Sequence, residues 1–455
     1  MSPTLPILAL AALFVPPSAA AESKADPAPT WAEDVAPIVY RSCAGCHRPG
    51  EVAPMSLLSY AEARPWARSI RKAVHDRAMP PWHADSTQVA YANDRSLSEE
   101  EIATLVRWVD AGAPAGDLDA APAPPTFTDG WRLGEPDRVF TVADPFRVPV
   151  TDAEIPYQSL IFAADIPEDL YVEAWEIRSS VPAALHHANL VRQPVPFDGG
   201  VGIAGAVIKG GDYIGSYLPG HNWVRYNEGT AFKLPAGSHL GIQVHYVSVG
   251  EEVEDTIQFG IHLADGRVDK LVRVIGTDYR DIEIPPGEER HEIVDEITVL
   301  YDVLALSSGI HMHLRGSAYT MEAVRPDGEV ALITDVPDYD FDWQSNYVLA
   351  EPVPMPQGTK LRVTSVWDNS ANNPDNPDPA ATVRYGPWTD DEMVNSWAHV
   401  VLADEKLGLL LENGRVVGRS PDAQDTPHPF LIQTLPQAPS VQRVEGGEPS
   451  DARQP

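Results

Sequence analysis

The stretch Gly309-Ile310-His311-Met312-His313-Leu314-Arg315-Gly316 sets two histidines at i and i+2 in an apolar, β-favouring run. Side chains of a strand alternate between faces, so both imidazoles leave the backbone on the same side. Two rings converging from one face can hold a transition metal, and imidazole suits copper, zinc, iron and nickel alike. An isolated His-x-His is as readily explained by two histidines on a half-buried strand. What raises this one is its company: a His186-His187 pair, a His245-Tyr246 on another strand-like run, and Met393 within Thr389-Asp390-Asp391-Glu392-Met393. The chain reads as a scaffold for these residues, with a helical segment in front.

Outward from that stretch, short alternating runs recur between turn signals: Leu170–Ile177, Leu240–Val249, Thr256–Leu263, Glu296–Leu304, Ser317–Val324 and Lys360–Val366. The breaks hold turn-forming pairs, Pro219-Gly220, Pro286-Gly287 and Asp327-Gly328. Helical periodicity is scarce, and roughly 270 residues of this pattern divide naturally into two mainly antiparallel, jelly-roll-like β-sandwich domains. A cut near Ile275–Asp278 predicts domains over 131–276 and 277–404. Beyond them, a hairpin is expected from Leu409 to Val417 around Asn413-Gly414, and the Pro/Gln/Glu/Gly-rich end from Pro436 is expected to be disordered.

Length and composition agree with that division. At 455 residues the chain exceeds one ordinary core. Its 44 prolines and 32 glycines favour many turns over long helices. A net charge of −33 argues against nucleic acid as a partner and leaves the substrate undefined. Both cysteines fall in one motif, so no disulfide can staple the β region. The N-terminal apolar run Leu5–Val15, followed by small residues up to Ala21, reads as a signal peptide over 1–21 that is too short to span a bilayer. No cysteine follows the cleavage point. The mature protein is therefore expected to be exported, periplasmic or secreted, without a membrane anchor.

The one cysteine motif, Cys43-Ala44-Gly45-Cys46-His47, is C-x-x-C-H: two thiols that can add to haem vinyls and an adjoining histidine that can bind the iron. A redox dithiol would sit in a βαβ context that is missing here, and half a zinc site would need two more nearby ligands. The flanks look helical, from Trp31 to Ser42, from Ala61 to Arg77, and from an N-cap at Ser98 to a stop at Gly112-Ala113-Pro114. Over about 30–118 the segment resembles a small all-α class I cytochrome c with one covalently attached haem c. Met79, in Met79-Pro80, is the favoured sixth ligand, with Met55 as its rival and His75 or His83 as bis-histidine alternatives. Residues 119–130, centred on Ala120-Ala121-Pro122-Ala123-Pro124-Pro125, read as a semi-extended linker.

Taken singly, the metal candidates are weak. Adjacent strand residues face opposite ways, so His186 and His187 can share one ion only if the backbone bulges or one ring binds through its nearer nitrogen. His245 is the preferred third ligand and His239 the competitor. A set of His311, His313 and Met393 suits Cu(I), because thioether sulfur is soft, although core packing is the commoner fate of methionine.

As an ordered set, His-His, His-Tyr, His-x-His and Thr-x-x-Glu-Met resemble the type II copper, ascorbate-dependent monooxygenases, the family of the peptidylglycine α-hydroxylating and dopamine β-monooxygenases, over roughly 150–402. The chain is also similar to bacterial forms with an N-terminal cytochrome c domain. Their second domain carries runs such as Tyr339-Asp340-Phe341-Asp342-Trp343-Gln344. The resemblance implies two copper ions. His186, His187 and His245 would hold the electron-reservoir copper, and His311, His313 and Met393 the copper that binds O2 and attacks a substrate C–H bond. Departures are clear: the family's disulfides are impossible here, Gly309 stands where the amidating enzyme has arginine, and Trp397 where it has tyrosine, beside a retained Asn395. Peptide amidation is therefore not expected. The expected activity is hydroxylation of a small organic substrate with O2, fed through the haem segment by an external electron donor. The alternative is a haem and copper electron-transfer or copper-binding protein without oxygenase activity.

Overall fold

The computed structural model describes residues 27–127, 130–198, 200–202, 211–386, 388–426 and 431–433. The signal-peptide reading of 1–21 and the tail from Pro436 lie outside the described residues. The chain is mostly β-sheet and, among the described residues, its α-helices are confined to the N-terminal segment. Among the described residues, no helix is long and apolar enough to cross a membrane.

Four short helices make up that segment: α1 (Ala36–Ser42), α2 (Tyr60–Ala63), α3 (Ala67–His75) and α4 (Glu99–Asp110). A single π-type turn, Trp31–Val35, leads into α1, with Thr30 Oγ1 accepting from Glu33 N–H. Helix α4 begins as its sequence predicts, in a reciprocal box: Ser98 Oγ accepts from Glu101 N–H at 3.3 Å and the Glu101 carboxylate from Ser98 N–H at 2.9 Å. Trp31, Val35, Leu57, Leu105 and Trp108 form the core between the helices.

The first β region contains β1 (Arg138–Val142), β2 (Gln158–Ala163), β3 (Leu170–Ser179), β4 (Leu185–Gln193), β5 (Asp212–Tyr217), β6 (Thr230–Leu234), β7 (His239–Tyr246) and β8 (Ile257–Leu263). They pair antiparallel in the order β6-β3-β8-β1-β2-β7-β4-β5. Strands β1 and β2 are joined only by Thr141↔Ala163 and Val142↔Phe162. This short seam lets the two halves fold over a shared core of Phe140, Trp175, Phe259, Leu190 and Ile242. Trp175 of β3 presses so closely on Gly215 of β5 that any side chain there would collide with the indole.

The second region is a sandwich of two sheets. One runs β9-β16-β11-β14, from β9 (Arg273–Asp278), β11 (Val303–Met312), β14 (Asn346–Met355) and β16 (Val394–Leu402). The other runs β13-β12-β15-β10, from β10 (His291–Val299), β12 (Gly316–Val324), β13 (Val330–Val336) and β15 (Lys360–Trp367). Two expectations need correction. The boundary predicted at 276/277 lies earlier, because β9 pairs residue by residue with β16 from Arg273↔Val400 to Asp278↔Asn395. The single strand predicted over Glu296–Leu304 is the end of β10 and the start of β11, split by a turn whose Asp302 side chain accepts from Gln357 N–H. The expected hairpin is present as β17 (Leu409–Glu412) and β18 (Arg415–Arg419), with Asn413 and Gly414 at φ 50° and 71°. It returns to the first β region, pairing with Gly266–Val268.

Residues 82–95, between α3 and α4, do not stay with the helices. They lie along β14, with Ala92 N–H donating to Val348 O (2.7 Å) and Ala350 N–H to Ala90 O (2.9 Å). Asn93 closes the strap through Nδ2–H to Asn346 O (2.8 Å) and Oδ1 from Val348 N–H (2.9 Å). Trp82 meets Tyr91 and Tyr347 edge to face and the two tyrosines meet at a tilt, all with centroids 5.3–5.5 Å apart, so the strap shares the core of the second sandwich.

Two histidines outside the motif set are buried between these units. His221 faces Asn346, and His399 pairs through Nδ1 with Ser307 Oγ at 2.9 Å. Burial pushes their pKa values down to about 3 and about 4, respectively. In the unfolded chain they protonate near the ordinary value of about 6.5 while the fold keeps them neutral. Stability from this source is therefore level above about pH 6.5 and falls as pH drops towards 4, by up to about 1.4 kcal/mol per pH unit for each histidine. Urea midpoints measured from pH 7 to 4.5 should fall less steeply in His399→Gln than in the wild type. Parallel curves would rule out this assignment.

Candidate metal centre

The His186-His187 pair is made useful by a bulge. In the β4–β7 ladder Leu185 pairs with Tyr246 and His187 with His245, leaving His186 as the extra residue. The bulge brings both rings to the same side. His186 Nδ1 and His187 Nδ1 are 3.1 Å apart, and ligand atoms of His186, His187 and His245 all lie within 4.8 Å of one another. The competitor His239 sits at the far end of β7, opposite Gln193.

The outward-facing nitrogens are held by neighbours. His187 Nε2 and Tyr157 Oη are hydrogen-bonded at 3.1 Å, and the Tyr157 ring stacks on His245 with centroids 4.9 Å apart. His186 Nε2 lies 3.5 Å from an Asp342 carboxylate oxygen. His245 Nδ1 is buried with no hydrogen-bond partner. One nitrogen fixed by an outer partner and the other turned inward is the arrangement that orients a metal-binding imidazole.

His311 and His313 follow the same rule. Their rings leave one face of β11, as the i, i+2 spacing requires, with centroids 5.0 Å apart. His311 Nδ1–H donates to Gln344 Oε1 at 2.8 Å, and Gln344 is itself oriented by Nε2–H to Phe341 O. His313 Nδ1–H donates to Asp391 O at 3.3 Å, which leaves its Nε2 buried and unpartnered. Burial, reinforced by neighbouring imidazoles, pushes the pKa of His245 down to about 4 and that of His313 to about 3. His311 is also lowered to about 4 by burial, and His187 well below its ordinary value. Neutral imidazole is the form that binds metal.

Met393 lies just ahead of β16. The β11–β16 register runs His311↔Asn395 and Met312↔Val394 and ends there, one residue short of both His313 and Met393, so the ladder delivers the two residues to the same end of the strand pair. The local backbone is fixed by Glu392. This fully buried carboxylate accepts from the amides of His313 (3.1 Å), Arg315 (2.8 Å) and Met393 (3.2 Å) and from Trp367 Nε1 (2.9 Å).

The two sets, assigned by sequence to separate domains, meet in one cluster. The His187 and His311 rings are 5.6 Å apart, and Phe341, on the turn between β13 and β14, lies 5.6–6.5 Å from all five histidine rings. In sequence, Phe341 and Gln344 stand in the run Tyr339–Gln344 and Glu392 in Thr389–Met393, motifs that give them no role, while Tyr157 belongs to no motif. Trp397 is buried against Tyr213, Val191 and Val201 of the first β region, and its indole fills the space over Gly309. It is a packing residue, whereas Trp388 is exposed.

At the C-x-x-C-H segment both thiols are free. Burial, ahead of the neighbouring thiol, pushes Cys43 up to about 12, the reverse of the lowered thiol that a redox dithiol needs. His47 Nδ1 is buried without a hydrogen-bond partner, and Met55 packs with Cys43 on the helical core. Met79 lies half-buried beyond α3, its N–H donating to Ala73 O at 3.2 Å, and is not among the side chains packed on that core. His75 is exposed and paired with Asp76, while His83 belongs to the strap.

No family model and no curated protein matches the chain. Solved structures similar to it include the major capsid protein P2 of bacteriophage PM2, at 10% identity over 59% of this chain and 100% of that one, with a TM-score of 0.27. The STIV MCP is similar at 10% identity over 59% and 98%, with a TM-score of 0.26.

Proposed function

We propose that the chain is an exported, copper-dependent monooxygenase that uses O2 to hydroxylate a C–H bond of a small organic substrate. Electrons would enter from an external donor through a class I-type haem c carried on Cys43, Cys46 and His47. The observation that carries this reading is the pair of facing imidazole sets. His187, His311 and His313 are each held through one ring nitrogen by Tyr157, Gln344 or the Asp391 carbonyl, His186 lies beside Asp342, and His245 Nδ1 and His313 Nε2 are buried without a partner. His186, His187 and His245 would hold one copper, and His311, His313 and Met393 the other. Bound copper supplies one-electron chemistry and O2 activation, and haem supplies the electrons.

The residues do the rest. Met393 provides a soft donor that favours the reduced ion. Gln344 and the Asp391 carbonyl keep the Nδ1 proton on His311 and His313, so that each presents Nε2. Tyr157 holds the His187 ring through Nε2, which leaves Nδ1 as the nitrogen that faces His186. The low pKa values keep these imidazoles neutral at neutral pH, so protons do not compete with the metal.

One observation favours the second reading, a haem and copper carrier without oxygenation: Phe341 fills the space among the five rings, where a substrate would have to approach. The discriminating experiment matures the protein with a haem c assembly system, loads copper, and measures metal content and substrate-coupled O2 consumption over a substrate panel. Two coppers and one haem per chain with coupled hydroxylation are expected. Full metal content without coupled O2 consumption returns the carrier reading, and failure to retain copper removes both.

A further inference from the structure

The C-x-x-C-H thiol and the His311 imidazole are connected through the strap. A Cβ added to Gly220 would lie 2.5 Å from Arg95 Nη1 and 3.0 Å from Cys46 Sγ, so the guanidinium and the thiol crowd the same point of the Pro219-Gly220 turn. Gly220 has φ +78°, and the turn admits this approach because it has no side chain. From there Arg95 Nη2–H donates to Ser345 Oγ at 3.4 Å. Ser345 is bonded to Gln344, whose Oε1 accepts from His311 Nδ1–H at 2.8 Å. Ser345 and Gln344 are both buried, and Arg95 Nε is sealed from solvent without a partner. A long, costly cation has been brought into this interface with, among the described residues, one weak hydrogen bond to reward it.

We propose that Arg95 and the Gln344-Ser345 dipeptide form the coupling by which an electron passes from the Cys46 side of the helical segment to the His311 site. This coupling has a task only if Cys43, Cys46 and His47 carry haem and the histidines carry copper, so it rests on that reading. The step is one electron: ferrous haem becomes ferric, one Cu(II) becomes Cu(I), no proton moves and no bond breaks. Residues 82–95 supply the rigidity, since Arg95 immediately follows the segment fixed to β14.

Arg95 has two effects of opposite sign, and this makes the idea testable. A cation beside the thiol that carries the haem disfavours the more positive ferric iron, so Arg95→Met should lower the haem midpoint potential in a redox titration. A lower potential enlarges the driving force towards copper and, acting alone, would speed haem oxidation. Loss of the coupling would slow it.

The experiment uses the full chain, haem-matured and copper-loaded. The haem is reduced photochemically in the oxidised protein, and its reoxidation is followed by absorbance in wild type, Arg95→Met and Ser345→Ala. Hydrogen exchange over residues 82–95 reports whether the strap stays docked. Slowing of about 10-fold is expected in both variants, despite the lower potential of Arg95→Met and with strap protection intact. Unchanged or faster reoxidation in Arg95→Met, or slowing that appears only where strap protection is lost, overturns the coupling. Absence of reoxidation in the wild type overturns the electron-supply reading itself.

Discussion

Replacing Glu392 by alanine is expected to destabilise the protein by about 4 kcal/mol or more, through four buried donors left without an acceptor. Those donors are the N–H groups of His313, Arg315 and Met393 and the Trp367 indole N–H. All four lie in the core or on the ligand-bearing backbone, where water cannot readily replace the carboxylate. Burial pushes the Glu392 carboxyl up to about 7 while the donors pull it down, so the acceptor is held at an energetic cost that the fold tolerates for position. Glu392→Gln keeps one acceptor oxygen but turns an NH2 group towards N–H donors, so it should fall between wild type and Glu392→Ala. Urea midpoints give the stability, and copper per chain after gel filtration gives the site. Copper should fall with stability, because two of the three amides belong to His313 and Met393. A Glu392→Ala protein with the wild-type midpoint and full copper would mean that these amides have other partners.

Features that depend on local physics were legible in the sequence. The His-x-His spacing fixed a common face for His311 and His313, Ser98 and Glu101 marked the start of α4, and Asn413-Gly414 marked a hairpin turn. A bulge at His186 was one of the two ways in which the adjacent rings could share an ion, and the β4–β7 ladder has it. What could not be read depends on contacts between distant segments. Strand β9 has the alternation of either sandwich, and only its pairing with β16 assigns it to the second. In the strap 82–95, Ala90, Tyr91 and Ala92 form no repeating pattern that announces a pairing, yet β14 offers them an open edge. Tyr157, Gln344 and Glu392 are ordinary residues in sequence. Each becomes specific because a histidine or its amide, 30 to 79 positions away, lies within hydrogen-bond reach.

The separation of the two histidine sets follows the same logic and leads to the other large expected effect. With the His187 and His311 rings only 5.6 Å apart, two Cu(II) ions bound to these sets would be close enough to broaden each other's EPR signal. Copper-loaded, oxidised protein should therefore show less resolved intensity than its copper content requires. His313→Ala should bring copper from about two ions per chain to about one, since removal of one of three ligands leaves a donor pair too weak to compete. The remaining ion should then give a full, resolved type II spectrum. His245→Ala should do the same from the other side, and in the reduced protein Met393→Ala alone should remove the Cu–S scattering from the X-ray absorption spectrum. Phe341 makes the prediction specific: its ring lies beside all five imidazoles, so Phe341→Ala should alter the broadening while leaving both ligand sets intact. A sharp, fully integrating spectrum from doubly loaded wild-type protein would mean that the sets move apart when metal binds. The crowding of Phe341 would then describe a closed state that opens for substrate, and the objection it raises against oxygenase activity would disappear.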